Sequence, residues 1–195
     1  MPRKPRELFD GGIYHVFNRG NDRRTLFGKE NDYLLFLATL DDAVRYFSAN
    51  LHHYCLMPNH FHLLFKIQKK DDLSALMHRL QLSYARYFKK TREFNGHVFQ
   101  ERFRSPLIAQ ESYFLQCGRY IERNPVRAHL VQNAVDYPYS SAGFYIHGTK
   151  NSRITPNPYY EQLGLSDRER QQRYSEFLAF DDPYTTILNK ALAEG

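Results

Sequence analysis

The sequence predicts an α+β fold, and three observations carry that prediction. Short runs rich in β-branched and aromatic residues are bounded by Gly, Pro and Asn, as strands and their turns are. Two longer stretches place apolar residues at the same offsets, 0, 3, 4, 7, 11 and 14, the spacing of one helix face. The two kinds of segment alternate in the order β-α-β-β-α-β, which closes as an antiparallel sheet with helices on one face.

The elements follow in chain order. Residues 13–19, punctuated by Gly11-Gly12 and Gly20-Asn21, form the first strand. Asn31 is the expected N-cap of a helix carrying Tyr33, Phe36, Leu37, Leu40, Val44 and Phe47 on one side. Residues 51–57 and 60–67 are apolar strands joined at Pro58-Asn59 as a hairpin. Asp71 or Asp72 caps a second helix with the stripe Leu73, Leu76, Met77, Leu80, Tyr84 and Tyr87. After Asn95-Gly96, the extended stretch Val98 to Ala109 is expected to be the fourth strand, and an additional helix starts near Ser112. This order is that of the ferredoxin-like fold, in which the first and third strands are central neighbours and one sheet face stays open for a further element.

From about residue 150 the character changes. Asn151 to Pro158 is polar and Pro-containing, and Ser166-Asp-Arg-Glu169 is a capping box opening a short helix with Tyr174, Phe177 and Leu178 on one side. Residues 1–149 are therefore expected to form the principal domain and 150–195 a C-terminal helical appendage docked on it.

Composition bounds the function. In 195 residues, 27 Lys+Arg against 21 Asp+Glu give a formal charge of +6, with a pI near 9.3. Cys55 and Cys117 form no CxxC pair, which excludes a disulfide scaffold and a Cys-based zinc ribbon and makes a reducing compartment the expectation. Mean hydropathy is -0.64, and no apolar run approaches the roughly 20 residues that span a bilayer. The basic start, including Arg3, Lys4 and Arg6, has no apolar segment behind it, so a signal peptide is not expected and the protein is expected to be cytoplasmic, with no membrane partner. Aromatic residues make up 15% without a single Trp. Basic charge mixed with Phe and Tyr suits a nucleic-acid surface, and equally a basic globular protein whose aromatics fill its core.

Three local patterns carry chemistry. In Pro58-Asn-His-Phe-His62, strand alternation sends His60 and His62 to one face and Phe61 to the other. The imidazoles are close enough to share an ion, though a structural pair reads equally well. On the third helix, Phe114, Cys117, Gly118 and Ile121 form a stripe whose small central residues allow close approach to the sheet. Tyr120 and Asn124 are four apart and share another side, with Arg119, Arg123 and Arg127 nearby. Pro125 biases Asn124 away from helical dihedrals, so the projection is open to distortion there. A tyrosine beside an amide and guanidiniums suits phosphate handling; a surface helix with an amphipathic Tyr is the plainer reading. The third pattern, Phe99 to Arg104, alternates basic and aromatic side chains, with Arg102 and Arg104 sharing one face.

Five motifs occur in a fixed order: Tyr14-His-Val-Phe-Asn-Arg-Gly20, Leu56-Met-Pro-Asn-His-Phe-His62, Gly96-His-Val-Phe-Gln-Glu-Arg-Phe103, Arg119-Tyr-Ile-Glu-Arg-Asn-Pro-Val-Arg-Ala128 and Tyr137-Pro-Tyr-Ser-Ser141. Together they resemble the REP-associated tyrosine transposases, a branch of the single-tyrosine HUH transposases, over residues 2 to 145. The resemblance implies a nucleophilic Tyr120 and a divalent ion, Mg2+ or Mn2+, on His60, His62 and Asn124. Two imidazoles alone would lean toward zinc or another transition metal. It also implies cleavage and rejoining of single-stranded or hairpin DNA through a 5′-phosphotyrosine. The family pattern usually places Gly after Ala128, where this chain has His129.

Asn18, Arg19, Gln100, Arg102, Arg104, Arg119, Arg123 and Arg127 are the expected DNA contacts, and His15 is a hydrogen-bonded core histidine or a group behind the metal site. Two rivals stay open: a ferredoxin-like module that binds single-stranded nucleic acid without cutting it, and a metal-dependent nuclease using water. Monomer and homodimer are both compatible with the sequence.

Overall fold

The computed structural model describes residues 6–110 and 112–180. Three strands, β1 (Ile13–Arg19), β2 (Asn50–Met57) and β3 (His60–Lys66), form an antiparallel sheet in the order β1-β3-β2. The first and third strands are thus neighbours, as the ferredoxin-like order requires. Helices α1 (Glu30–Tyr46) and α2 (Asp72–Arg92) pack on one face, and α3 (Ser112–Glu122) covers the other. The short α4 (Asn124–Arg127) continues from α3; α5 (Ala142–His147), α6 (Pro158–Glu161) and α7 (Asp167–Ala179) complete the described chain. No helix among the described residues is long and apolar enough to cross a membrane.

Alternation along the strands sorts the two faces. Tyr14, Val16, Phe61, Leu63 and Phe65 bury against α1 and α2, where Phe36 packs on Phe61 with ring centroids 5.0 Å apart. His15, His62 and Leu64 lie on the opposite side, because His15 pairs with Leu64 and Phe17 with His62 across the β1–β3 ladder. β2 obeys the same rule only after a bulge: the register shifts between Leu51 and His53, so Leu51 faces α1 and α2 while Cys55 and Met57 face α3.

Of three local expectations, the first and last are corrected and the second holds in position. The N-cap of α1 is Lys29, not Asn31, because the carboxylate of Asp32 accepts from the backbone N–H of both Gly28 (2.8 Å) and Lys29 (2.9 Å). Asp71 holds the cap position of α2 without a side-chain hydrogen bond. The stretch from Val98 to Ala109 does run beside β1, in the fourth-strand position, but forms isolated bridges rather than a continuous strand. Phe17 faces Arg104 whereas Gly20 faces Phe99, so three steps on β1 span five on the partner. Residues 101–103 therefore bulge out of the ladder, and Pro106 offers no N–H to extend it.

Both sheet edges are covered, which removes the unpaired backbone that would otherwise recruit a foreign strand. The 98–108 stretch covers β1. On β2, Leu56 N–H donates to Tyr139 O (2.9 Å), Ser141 N–H to Tyr54 O (3.0 Å) and Thr155 N–H to Leu51 O (2.8 Å). Ile154, Tyr160, Tyr174 and Leu178 enter the same core as α1 and α2, so the described part of the C-terminal segment packs against the rest of the chain. The expected capping box opens α7: Ser166 Oγ accepts from Glu169 N–H (3.2 Å).

His129 occupies the left-handed region, φ 54°, where the family pattern has Gly. The turn keeps its shape, with His129 N–H on Val126 O (3.0 Å) and Leu130 N–H on Pro125 O (2.9 Å), and the Cβ makes that conformation costly.

Candidate active site

An open cavity of about 580 Å3 lies where four parts of the chain meet. Phe17, Asn18 and Arg19 come from β1, with Arg23 just beyond it; Asn59, His60 and His62 come from the hairpin turn and β3. The bulged stretch supplies Gln100, Glu101, Arg102 and Arg104, and the α3–α4 junction supplies Tyr120 and Asn124. All of these belong to one chain. Four arginines against one glutamate make the wall basic, which suits a phosphodiester.

Alternation from β3 sends His60 and His62 to the α3 side, and α3 can come close because of Gly118. A Cβ there would sit 2.6 Å from the ring of His53. That approach brings Tyr120 to the histidines: its ring centroid lies 5.8 Å from His15 and 5.9 Å from His62, edge to face. Burial raises the pKa of Tyr120, while the Arg127 guanidinium, 4.1 Å above its ring, opposes the rise.

Pro125 does not break the helical path. Arg123 N–H donates to Arg119 O (2.9 Å) and Arg127 N–H to Arg123 O (3.0 Å), and Arg123 itself is helical. Asn124 thus keeps the side shared with Tyr120. Its amide nitrogen donates back to Tyr120 O (3.0 Å) and Ile121 O (3.1 Å), which leaves the amide oxygen as its other polar end.

The donor set suits a divalent ion. His60 Nδ1 is 2.7 Å from Asn59 Oδ1, an atom that only accepts, so Nδ1 carries the hydrogen and Nε2 the lone pair. Burial pushes His60 down to about 4 and His62 well below its ordinary value, so both are neutral near pH 7, the state in which imidazole binds metal. Among the described residues no cluster of three or more His, Cys, Asp or Glu could hold an ion. Beside the two histidines the cavity is lined by the side-chain amides of Asn18, Asn59, Gln100 and Asn124.

The expected DNA contacts divide. Asn18, Arg19, Gln100, Arg102 and Arg104 line the cavity, with Arg19 Nε hydrogen-bonded to Gln100 Oε1. Asn18 Nδ2 donates to Glu101 O (3.0 Å) and so holds the bulge. Arg119 and Arg123 are directed elsewhere. Arg119 stacks on Phe177 at 4.3 Å, and Arg123 donates to Leu178 O (2.6 Å) and Ala179 O (2.8 Å), the carbonyls at the C-terminal end of α7, where a cation is favoured. Arg127 does not line the cavity, but stacks on Tyr120 and donates to its backbone oxygen (3.1 Å). Arg6 is tied to Phe103, with its guanidinium 3.8 Å above that ring, while Arg3 and Lys4 lie outside the described residues.

Sequence reasoning missed Asn59, Arg23 and Glu101. Asn59 was legible as an amide directly before His60; Arg23 and Glu101 arrive only through the turn after β1 and the bulge. It also missed a buried network behind the cavity. Glu122, at the end of α3, accepts from Ser141 Oγ (2.5 Å) and Tyr174 OH (2.8 Å) and pairs with His53 Nδ1 (2.9 Å). Asn157 Nδ2 lies 3.1 Å from the other ring nitrogen of His53. This network fastens the tyrosine helix to β2, α5 and α7.

Comparison with known proteins returns one consistent picture. Residues 9–124 match the family model described as IS200-like transposase. A putative REP-associated tyrosine transposase of Haemophilus influenzae is 32% identical over 97 residues, 45% of this chain and 55% of that protein. The chain thus aligns with about half the length of that curated relative. The solved structure of a REP-associated tyrosine transposase bound to a REP hairpin superposes with a TM-score of 0.64 at 19% identity, covering 80% of this chain and 92% of that one, which establishes a shared fold.

Proposed function

Because the chain belongs to the IS200-like transposase family, we propose that it cleaves and rejoins single-stranded DNA beside hairpins, with Tyr120 as the nucleophile. The observation that carries this reading is the meeting of Tyr120, His60, His62 and Asn124 in one basic cavity. A nucleic-acid binder without chemistry has no use for that set, and a water-using nuclease leaves the tyrosine idle. The hairpin is supported by the structural relative, which is bound to a REP hairpin.

The basic wall takes the phosphodiester and orients it, Arg19, Arg102 and Arg104 being placed for its oxygens. Tyr120 Oη forms a bond to phosphorus while the P–O3′ bond breaks, in line. The products are a 5′-phosphotyrosine and a strand end whose 3′ oxygen takes up a proton. Tyr120 must lose its own proton as it attacks, and Arg127 over its ring stabilises the developing phenolate. When bound by His60, His62 and Asn124, a divalent ion, Mg2+ or Mn2+, supplies Lewis-acid polarisation of a phosphate oxygen. The phosphotyrosine conserves the bond, so a 3′-OH reseals the strand by the reverse step. Such a protein works in the cytoplasm, where its DNA is.

The test is a labelled hairpin oligonucleotide with Mg2+ or Mn2+, read for a denaturation-resistant protein–DNA adduct. Wild type forms the adduct, and Tyr120→Phe abolishes both adduct and cleavage with its melting temperature kept. Cleavage that survives in Tyr120→Phe would mean attack by water, and binding without any cleavage by wild type would mean a binder.

A further inference from the structure

Behind the cavity lies a buried histidine to which the mechanism gives no task. His15 on β1 is fully buried, its Nε2 is 2.9 Å from His62 Nδ1, and its own Nδ1 has no hydrogen-bond partner. One hydrogen lies between the two rings, and it has two possible owners. If His15 Nε2 carries it, His62 accepts at Nδ1 and turns an N–H toward the cavity. If His62 Nδ1 carries it, His62 keeps a lone pair on Nε2 and His15 holds its hydrogen on the unpartnered Nδ1.

We propose that His15 is a positioning residue: it accepts the Nδ1–H of His62 and so holds His62 as a lone-pair donor at Nε2. This rests on the metal reading of the cavity given above. Three observations carry it. His60 is fixed in the same sense by Asn59, whose amide nitrogen faces Arg23 O (3.4 Å) and whose oxygen therefore faces the ring. With His15 as acceptor, both imidazoles present matching Nε2 lone pairs. The other arrangement sets one lone pair beside one N–H, which no shared cation accommodates. Second, a cation on Nε2 makes the Nδ1–H a better donor, so the bond to His15 and the bond to the ion strengthen one another. Third, the unpartnered Nδ1 of His15 is a cost that the fold keeps. His15 is packed between Phe17 (5.3 Å) and Tyr120 (5.8 Å), where a phenyl ring would fit without leaving a polar atom unsatisfied.

Packing and acceptor roles separate by substitution. His15→Phe keeps the ring and removes the acceptor; His15→Gln can place an amide oxygen where Nε2 stands. The readout is Mn2+ affinity of the full chain, measured by titration with the free ion followed by electron paramagnetic resonance. His15→Phe should weaken Mn2+ binding about 10- to 100-fold, and His15→Gln should recover most of the loss. Equal affinity of wild type and His15→Phe overturns the proposal, as does equal loss in both variants. Long-range 1H–15N spectra of the metal-free wild type need no variant: His62 with its hydrogen on Nδ1 supports the assignment, and hydrogen on Nε2 overturns it. Wild type that binds no Mn2+ overturns the metal reading itself, and the His62 spectrum then decides the tautomer alone.

Discussion

The two faces of the sheet are both buried, yet they are built from different chemistry. Toward α1 and α2, aromatic and aliphatic side chains interlock, with Phe27, Phe36, Phe61 and Tyr84 fully or almost fully buried. The notable charged group there, Asp32, is itself buried. Although its burial opposes ionisation, Arg92 (2.5 Å), the N–H groups of Lys29 and Gly28, and Tyr87 hold its pKa below the ordinary carboxylate value. Toward α3, a smaller apolar set that includes Cys55, Met57, Leu64 and Ile121 shares the buried space with His15, His52, His53, His62, Glu122 and Tyr120. One face supplies stability through area removed from water. The other gives up apolar area to hold polar groups in fixed positions, and its orphaned ring nitrogens on His15 and His52 mark that cost. A single three-stranded sheet thus separates a core from a candidate site by side-chain parity and the bulge in β2.

The largest effect that tests this contrast is expected on the apolar face. Phe61→Ala should cost about 3–5 kcal/mol in urea unfolding, through lost transfer energy and the cavity left behind. The adduct formed per folded molecule should be unchanged; a selective loss of chemistry would break the contrast. On the polar face, Glu122→Leu should cost about 3 kcal/mol, because His53, Ser141 and Tyr174 all lose their partner. Unlike Phe61→Ala, it should also lower cleavage per folded molecule, since Glu122 fastens the helix that carries Tyr120.

Acid stability should separate the faces next. His52 Nδ1–H donates to Thr155 O (2.9 Å), and burial pushes its pKa down to about 4 from an ordinary value of 6.5. Above pH 6.5 both folded and unfolded states leave it neutral. As pH falls from 6.5 to about 4, the unfolded chain takes up a proton that the folded chain refuses, and stability drops by up to ~1.4 kcal/mol per pH unit. His52→Gln should make that limb shallower by one histidine's share in denaturation curves measured across pH, with His15, His60 and His62 keeping theirs, whereas Phe61→Ala should shift the curves without changing their slope. The smallest effect concerns neither face. His129→Gly should raise stability by about 1 kcal/mol by relieving the left-handed backbone, without touching cleavage.

Much of this was legible in the chain. Repeated apolar offsets located α1 and α2, and alternation around Phe61 separated the histidines from the core, because both periodicities are local properties of the backbone. Tyr120, His60, His62 and Asn124 could be named because the order of five motifs is specific. Arg119 and Arg123 could not be told from Arg127, since all three sit at helical spacing and only the packing of α7 says which side is occupied. The failed fourth strand has the same cause: residues 98–109 have strand composition, but the bulge at 101–103 depends on pairing with β1.

The sequence by itself determined the kinds of element, their order, the sorting of Phe61 from His60 and His62, and the motifs that hold the candidate residues. Each is fixed within a few positions of the chain. Tertiary structure alone decided that α3 closes over the histidines, that His15 Nε2 meets His62 Nδ1, that a bulge turns β2 over, and that Arg119 and Arg123 pack on α7 rather than line the cavity. Those outcomes depend on contacts between residues up to about a hundred positions apart, such as His53 with Asn157. They are set by which surfaces fit together, and no local periodicity records that.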